Sequence, residues 1–250
     1  MTKVCVIIPA RFASSRFPGK PLKKLLGVPM VIRVARKAAL AVGIENVFIA
    51  TEEPLIASCA VSFGFKPIIT SPGCLTGTDR VAEASKELKE YDLFVNVQGD
   101  EPLVSPADIV HCIESKIKYP DKVVNGFTSI AVDENPESVN IPKVIFTEKG
   151  ELVYASRALI PSSKRVLPST EYKKQVCIYV FDSEQLNLFY DFGRKGHLEQ
   201  IEDIEILRFF EVGQKVFMAS CTPGSVAVDV PSDIPLAEAR IMEAERNEVI

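Results

Sequence analysis

Four short, uninterrupted apolar runs, separated by three stretches of helical period, dominate the N-terminal part of this sequence. Lys3-Val4-Cys5-Val6-Ile7-Ile8-Pro9 shows no alternation of polar and apolar residues, so as a strand it must be covered on both faces. Pro29 to Val42 then spaces Met30, Val34, Ala38 and Ala41 as one helical face, with Pro at its start and Gly43 past its end. Asn46 to Thr51 and Lys66 to Thr70 repeat the strand pattern, and Pro54 to Phe63, closed by Gly64, and Thr78 to Leu88 repeat the helical one. Leu93-Phe94-Val95-Asn96-Val97-Gln98 is the strongest strand. Such alternation predicts β/α units on a mostly parallel sheet. Ligands of such sheets sit beyond the strand C-termini, which directs attention to the loops Ala10 to Lys20, Ser71 to Thr78 and Gly99 to Pro106.

After about Val123 the pattern becomes more antiparallel. Strands are expected at Asn125 to Val132, Lys143 to Thr147, Glu151 to Tyr154 and Lys174 to Phe181, with a tight turn at Glu148-Lys149-Gly150. A short helix follows at Ser183 to Tyr190 and a longer one at Leu198 to Glu211, with Ile201, Ile204, Leu207 and Phe210 on its apolar face. Lys215 to Ser220 and Val226 to Val228 are expected to close the sheet, and Ser232 to Asn247 to form a terminal helix. The fold class expected is α/β, Rossmann-like, with a mostly parallel mixed sheet and a smaller antiparallel insertion. Residues 1–250 read as a single domain, with 1–135 and 186–250 as the α/β core and 136–185 as the insertion.

Composition narrows the chemistry. A net charge of −4, from 29 Lys+Arg and 33 Asp+Glu, argues against nucleic acid or an anionic membrane as partner, so basic residues that matter must act locally. No apolar stretch is long enough to span a bilayer, and the opening run meets Arg11 too soon for a signal segment, so a cytoplasmic location is expected. The six cysteines have neither zinc-site nor disulfide spacing and read as reduced core thiols. The two histidines, His111 on the helix after Pro106 and His197, leave little room for histidine base chemistry.

Three stretches could carry chemistry. In Pro9-Ala10-Arg11-Phe12-Ala13-Ser14-Ser15-Arg16-Phe17-Pro18-Gly19-Lys20-Pro21, cations at 11, 16 and 20 flank small residues whose N–H groups could cradle a triphosphate; the alternative is a solvated basic loop. Asp100, after the apolar strand and Gly99, is placed either to hold a hard cation such as Mg²⁺ or to cap the helix beginning near Ser105. Asp229, after Val226-Ala227-Val228, is a second such carboxylate, and two together could bind metal. Asp233 reads as a helix-start carboxylate. Asp79 and Glu101 read equally as ligand groups or as helix-start acids.

The stretch Ile8 to Leu22, together with Thr76-Gly77-Thr78-Asp79-Arg80, Val95 to Pro102, Lys143-Val144, Ser156-Arg157-Ala158, Ile160-Pro161, Leu198-Glu199, Ile201-Glu202, Leu207-Arg208, Val228-Asp229 and Pro231, resembles the CMP-Kdo synthetases, the 3-deoxy-manno-octulosonate cytidylyltransferases. The resemblance implies transfer of CMP from CTP to a 3-deoxy-2-keto sugar acid with Mg²⁺, in a homodimer. By the same resemblance Arg11, Arg16 and Lys20, with the Ser14 and Ser15 cradle, would hold the CTP phosphates. Ala10, Thr76, Gly77, Thr78 and Arg80 would line the cytidine side, and Gln98 would reach the sugars. Asp100 and Asp229 would carry magnesium, and Lys143, Arg157, Gln175, Tyr179 and Glu202 would form the acid-sugar pocket. Arg157 suits a two-pronged grip on a carboxylate. The chain departs from the family at Gln175-Val176-Cys177-Ile178-Tyr179, where His-Leu-Gly-Ile-Tyr is usual. It also has Ser162 where an aromatic is expected and Ile206 where Gln is common. These positions leave the acceptor open between Kdo, its 8-amino analogue and a sialic-type acid. A non-catalytic nucleotide-sugar binder is a further alternative.

Overall fold

The computed structural model describes residues 2–13, 17–132, 134–162, 164, 171–224 and 227–247. In chain order its elements are β1 (Val4–Pro9), β2 (Lys24–Leu25), β3 (Val28–Pro29), α1 (Met30–Val42), β4 (Val47–Thr51), α2 (Pro54–Ser62), β5 (Lys66–Ile69), α3 (Gly77–Ser85), β6 (Leu93–Val97), α4 (Pro106–Lys118), β7 (Val123–Ser129), β8 (Lys143–Phe146), β9 (Leu152–Ser156), β10 (Lys173–Asp182), α5 (Ser183–Asp191), α6 (His197–Glu202), α7 (Arg208–Glu211), β11 (Val216–Ser220) and α8 (Ile234–Asn247).

Seven strands run side by side in the order β11-β7-β10-β6-β1-β4-β5, and β8 with β9 extends the sheet from β10. Every pairing along that row is parallel except those of β10, which runs antiparallel to both β6 and β7. The uninterrupted apolar runs are explained by cover on both faces. Val6 and Ile8 point into one core with α1, α2 and α4, while Cys5 and Ile7 point into another with α3, α5 and α7. A third cluster seats α8, through Ala237 and Ile241, on Phe17, Leu25, Met30 and Val228. Glu238 accepting from the Leu26 N–H at 2.8 Å ties α8 to the β2–β3 hairpin, and Glu245 pairing with Arg33 at 3.1 Å ties it to α1.

Two sequence expectations are corrected. The stretch Leu198 to Glu211 is not one helix: Asp203 adopts the left-handed conformation (φ 51°), α6 ends there, and a short 3₁₀ turn, Glu205–Leu207, precedes α7. The break leaves Ile201 exposed and buries Ile204, Ile206, Leu207 and Phe209. The segment at Val226 to Val228 supplies no strand among the described residues; Val228 instead donates to the Asp100 carbonyl at 2.9 Å and packs under α8. Within the stretch 136–185, β8 and β9 stand off the path of the main sheet while β10 lies inside it.

Candidate active site

β4 and β5 continue the sheet on one side of β1 and β6 on the other, so the strand order reverses between β1 and β6. Loops leaving two such strands diverge and open a crevice. A cleft of about 770 Å³ lies there, walled by Ala10, Arg11 and Lys20 after β1 and by Gln98, Gly99 and Asp100 after β6. The loops pass closely because residue 99 is glycine: a Cβ there would stand 3.1 Å from the Pro9 carbonyl oxygen.

Lys20 sits at the centre. Gly19, in the left-handed region at φ 67°, turns the loop back so that Lys20 opens a 3₁₀ turn with Pro21. Its Nζ donates to Asp100 Oδ2 at 2.7 Å and lies 3.4 Å from Asp229 Oδ1. Burial alone would lower the lysine pKa, but the charges and hydrogen bonds of Asp100 and then Asp229 hold it above the ordinary value. Asp229 arrives through the packing of Val228 and α8 on the N-terminal loop. Asp233 accepts the N–H groups of Asp229 and Val230 at 2.8 and 2.9 Å, so it shapes this turn as a helix-start acid. Ser105, whose hydroxyl accepts from the Asp108 N–H, is the cap of α4, which removes the capping alternative for Asp100.

The α3 end forms a second wall. Thr76 caps the helix and its hydroxyl meets Asp79 at 2.6 Å. Gly77 faces Gln98 so closely that a Cβ would come within 2.6 Å of its Nε2. Thr78 is buried behind the wall, its hydroxyl donating to Glu205 at 2.6 Å. Arg80 lines the cleft with its guanidinium paired to Glu52 at 2.7 Å and bonded to the Thr70 hydroxyl. Glu205 also accepts the N–H groups of Gly77 and Thr78, at 3.1 and 2.8 Å. Loss of water pushes its pKa up, against the pull of those hydrogen bonds. Glu205 escaped sequence reading because a continuous helix over Leu198 to Glu211 gave it no special place; the αL turn at Asp203 aims it at α3. Behind this wall Arg208, fully buried, binds both Asp79 and Glu199, which makes Asp79 a structural acid.

The residues expected for an acid sugar divide. Gln175, Tyr179 and Arg157 reach the cleft. Gln175 is oriented by donating to Asn125 Oδ1 at 2.8 Å, and Asn125 in turn donates to the carbonyls of Val176 and Ile178 at the bulge in β10. Lys143 and Glu202 are not on the wall. Lys143 is fully buried and donates to the carbonyls of Ser138 and Arg157, at 2.9 and 2.6 Å. Glu202 accepts from Ser156, the Arg157 N–H and the Tyr154 hydroxyl, at 2.7, 2.8 and 3.2 Å. Both therefore build the wall rather than face its contents. An ion pair between Lys174 and Glu134, unforeseen from the sequence, lines the same side. Ser14, Ser15 and Arg16 lie outside the described residues, while Arg11 stands exposed on the cleft wall.

This arrangement favours charge neutralisation and alignment. Two cysteines reach the cleft, but burial and Glu83 push the Cys74 thiol up to about 12, and burial raises Cys177 well above the usual range. Neither supplies a thiolate. His111 and His197 are both exposed, away from the cleft. Among the described residues no three His, Cys, Asp or Glu side chains converge as a metal cage. The Asp100 and Asp229 oxygens nevertheless already share one cation, the Lys20 ammonium. Two hard oxygen donors fit Mg²⁺, which keeps waters and phosphate oxygens among its ligands.

Comparison with known proteins agrees with this chemistry. The family profile described as "Cytidylyltransferase" matches residues 5–216. A mitochondrial 3-deoxy-manno-octulosonate cytidylyltransferase from Arabidopsis thaliana is 36% identical over 245 residues, covering 97% of this chain and 84% of its own. An 8-amino-3,8-dideoxy-manno-octulosonate cytidylyltransferase from Shewanella baltica (strain OS185) is 35% identical over 243 residues, covering 95% and 98%. Among solved structures, a CMP:2-keto-3-deoxy-manno-octonic acid synthetase complexed with CTP superposes with a TM-score of 0.86 at 30% identity, covering 98% of this chain and all of the other.

Proposed function

The chain belongs to the cytidylyltransferase family, and we propose that it transfers CMP from CTP to the anomeric hydroxyl of 3-deoxy-manno-octulosonate or a close analogue, such as the 8-amino-3,8-dideoxy sugar. In the reaction the sugar oxygen bonds to the α-phosphorus, the bond from that phosphorus to the β-phosphate oxygen breaks, and pyrophosphate leaves. The observation that carries this reading is the meeting of Lys20, Asp100 and Asp229 where the strand order reverses.

Arg11 and Lys20 bind the triphosphate, and their positive charge offsets what develops on the departing pyrophosphate. Thr76, Gly77 and Gln98 shape the nucleotide side of the cleft, and Arg157 with Gln175 and Tyr179 the acceptor side. Alignment of the two substrates supplies much of the acceleration, because in-line displacement needs no covalent intermediate on the protein. Asp100 and Asp229 would hold Mg²⁺, which when bound neutralises phosphate charge and eases deprotonation of the attacking hydroxyl. The enzyme works in the cytoplasm as a homodimer, providing an activated sugar for lipopolysaccharide or capsule. Exposed Val139 and Val153, on and beside the β8–β9 region, suit a contact between copies.

Pyrophosphate release with CTP and a panel of 3-deoxy-2-ulosonic acids tests the reading, and silence with every acid refutes it. Asp100→Asn keeps the side-chain shape while removing a carboxylate from the cation site. We expect turnover to fall at least a hundredfold with an unchanged circular dichroism spectrum; near-normal turnover removes the metal assignment.

A further inference from the structure

Lys20 stands in two relations that exclude one another. It belongs to the loop that would hold the nucleotide phosphates, yet its ammonium is held by the two carboxylates suited to a divalent cation, 2.7 Å from Asp100 and 3.4 Å from Asp229. All three side chains are mostly screened from water, with exposures of 16%, 23% and 26%. The ammonium takes one oxygen of each carboxylate and cancels one of the two negative charges. A divalent cation that binds those oxygens meets the lysine in the same place, and like charges so close repel strongly in a half-buried cleft. The lysine therefore has to leave, and it needs another anion to go to. Its stem starts from the same loop as Arg11, at the mouth of the cleft where a polyphosphate would lie.

We propose that Lys20 is an internal counter-ion that keeps the Asp100–Asp229 pair closed to divalent cations until a polyphosphate takes over its ammonium. This rests on the nucleotidyl-transfer reading above. Metal and nucleotide then favour each other's binding reciprocally, since each releases the lysine for the other. The enzyme alone binds metal poorly, and the cation arrives together with the phosphates it will neutralise. The arrangement differs from a lysine that serves only phosphate, and from one that only steadies the turn at Gly19.

Two measurements on nucleotide-free protein separate these roles. Mn²⁺ binding, followed by the loss of its free-ion electron paramagnetic resonance signal, should show wild-type protein binding no more tightly than about 0.1 mM, the range of weak oxygen sites. Lys20→Met should bind Mn²⁺ at least tenfold tighter, equivalent to about 1.4 kcal/mol, and adding Asp100→Asn to it should remove the gain. CTP binding in EDTA, measured by calorimetry, should move the opposite way and weaken in Lys20→Met. A weakened CTP affinity with unchanged Mn²⁺ affinity overturns the proposal, as does unchanged CTP affinity. Lys20→Gln, which keeps a hydrogen-bonding head without charge, repeats the test should Lys20→Met not fold. Wild-type protein that binds Mn²⁺ at low micromolar concentration through Asp100 overturns it without any lysine variant. Neither measurement uses an acceptor sugar, so a failure of the acceptor reading, seen as no pyrophosphate release by wild type, is distinct from a failure of this one.

Discussion

Arg208→Met tests the buried charge cluster that holds α3 against the α6–α7 segment. The Arg208 guanidinium is fully buried and spans two carboxylates. It meets Asp79 through contacts of 2.7 and 3.1 Å and Glu199 through contacts of 2.7 and 2.6 Å. Asp79 is 4% exposed and Glu199 1%, so water cannot replace the lost partner. Burial would lower the arginine pKa, but Glu199 and Asp79 hold it above its ordinary value. Methionine keeps an apolar chain of similar length, but removes the charge, its hydrogen bonds and the stacking of the guanidinium carbon 3.8 Å from the centre of the Phe189 ring. Breaking a buried pair from one side costs about 3 to 5 kcal/mol, because a carboxylate stays behind uncompensated. A domain of this size loses roughly 2 to 4 °C of Tm per kcal/mol, so a fall of about 6 to 20 °C is expected. Urea unfolding and thermal melting, both followed by circular dichroism, measure it. The triple variant Asp79→Asn, Glu199→Gln, Arg208→Met leaves no charge in this cluster and should be more stable than Arg208→Met alone. A loss under about 1 kcal/mol for Arg208→Met, or a triple variant less stable than the single one, would refute the reasoning.

Two further substitutions probe the cleft walls. Gly77→Ala should leave stability nearly unchanged, because the new Cβ meets only the movable end of Gln98, at 2.6 Å; displacing that amide should raise the KM for CTP roughly tenfold, the worth of one hydrogen bond. Glu202→Gln should cost about 1 to 3 kcal/mol at pH 7, read from urea unfolding, because three donors converge on the carboxylate. Burial opposes ionisation of Glu202, but the hydrogen bonds from Arg157, Ser156 and Tyr154 prevail and lower its pKa below 4.5. Its stabilisation is thus complete above that value and lost as pH falls through the folded pKa, so the gap between wild type and Glu202→Gln should narrow below about pH 4.5; a constant gap contradicts the assignment.

The sheet was legible because its strands are buried on both faces. Cys5, Val6, Ile7 and Ile8 are all fully buried, and such a run has few other readings. The loops flanking the strand-order reversal were legible for a related reason: Gly19, Gly99 and Asp100 are local choices with local explanations. What escaped was long-range or conformational. Asp203 in the αL region splits a stretch whose apolar spacing suits one continuous helix, and its neighbour Glu205 thereby becomes a wall residue of the cleft. The position of β10 between β6 and β7 is set by pairing partners distant in sequence, such as Tyr179 with Asn96, and no local pattern announces them. Val228 carries a strand-like sequence but spends its N–H on the Asp100 carbonyl, a contact that brings Asp229 to Lys20 without a ladder.

The wall around Arg157 shows why residue type alone does not separate side chains that face the cleft from those that support it. Arg157 spends three of its five N–H donors on the carbonyls of Glu202, Val139 and Asp203, at 2.6, 2.8 and 2.9 Å. Its own carbonyl receives Lys143, and its own N–H goes to Glu202. The three residues thus form one framework that ties the β8–β9 strands to the end of α6 and places a single guanidinium on the cleft wall. A planar fork with fixed donors can brace loops on one edge and face an anion on the other, which an ammonium with three equivalent donors does less well. Lys143 and Glu202 bear on the cleft through Arg157, by fixing where its charge lies. Gln175 is a cleft-lining side chain that this framework does not use, and its amide is held instead by Asn125.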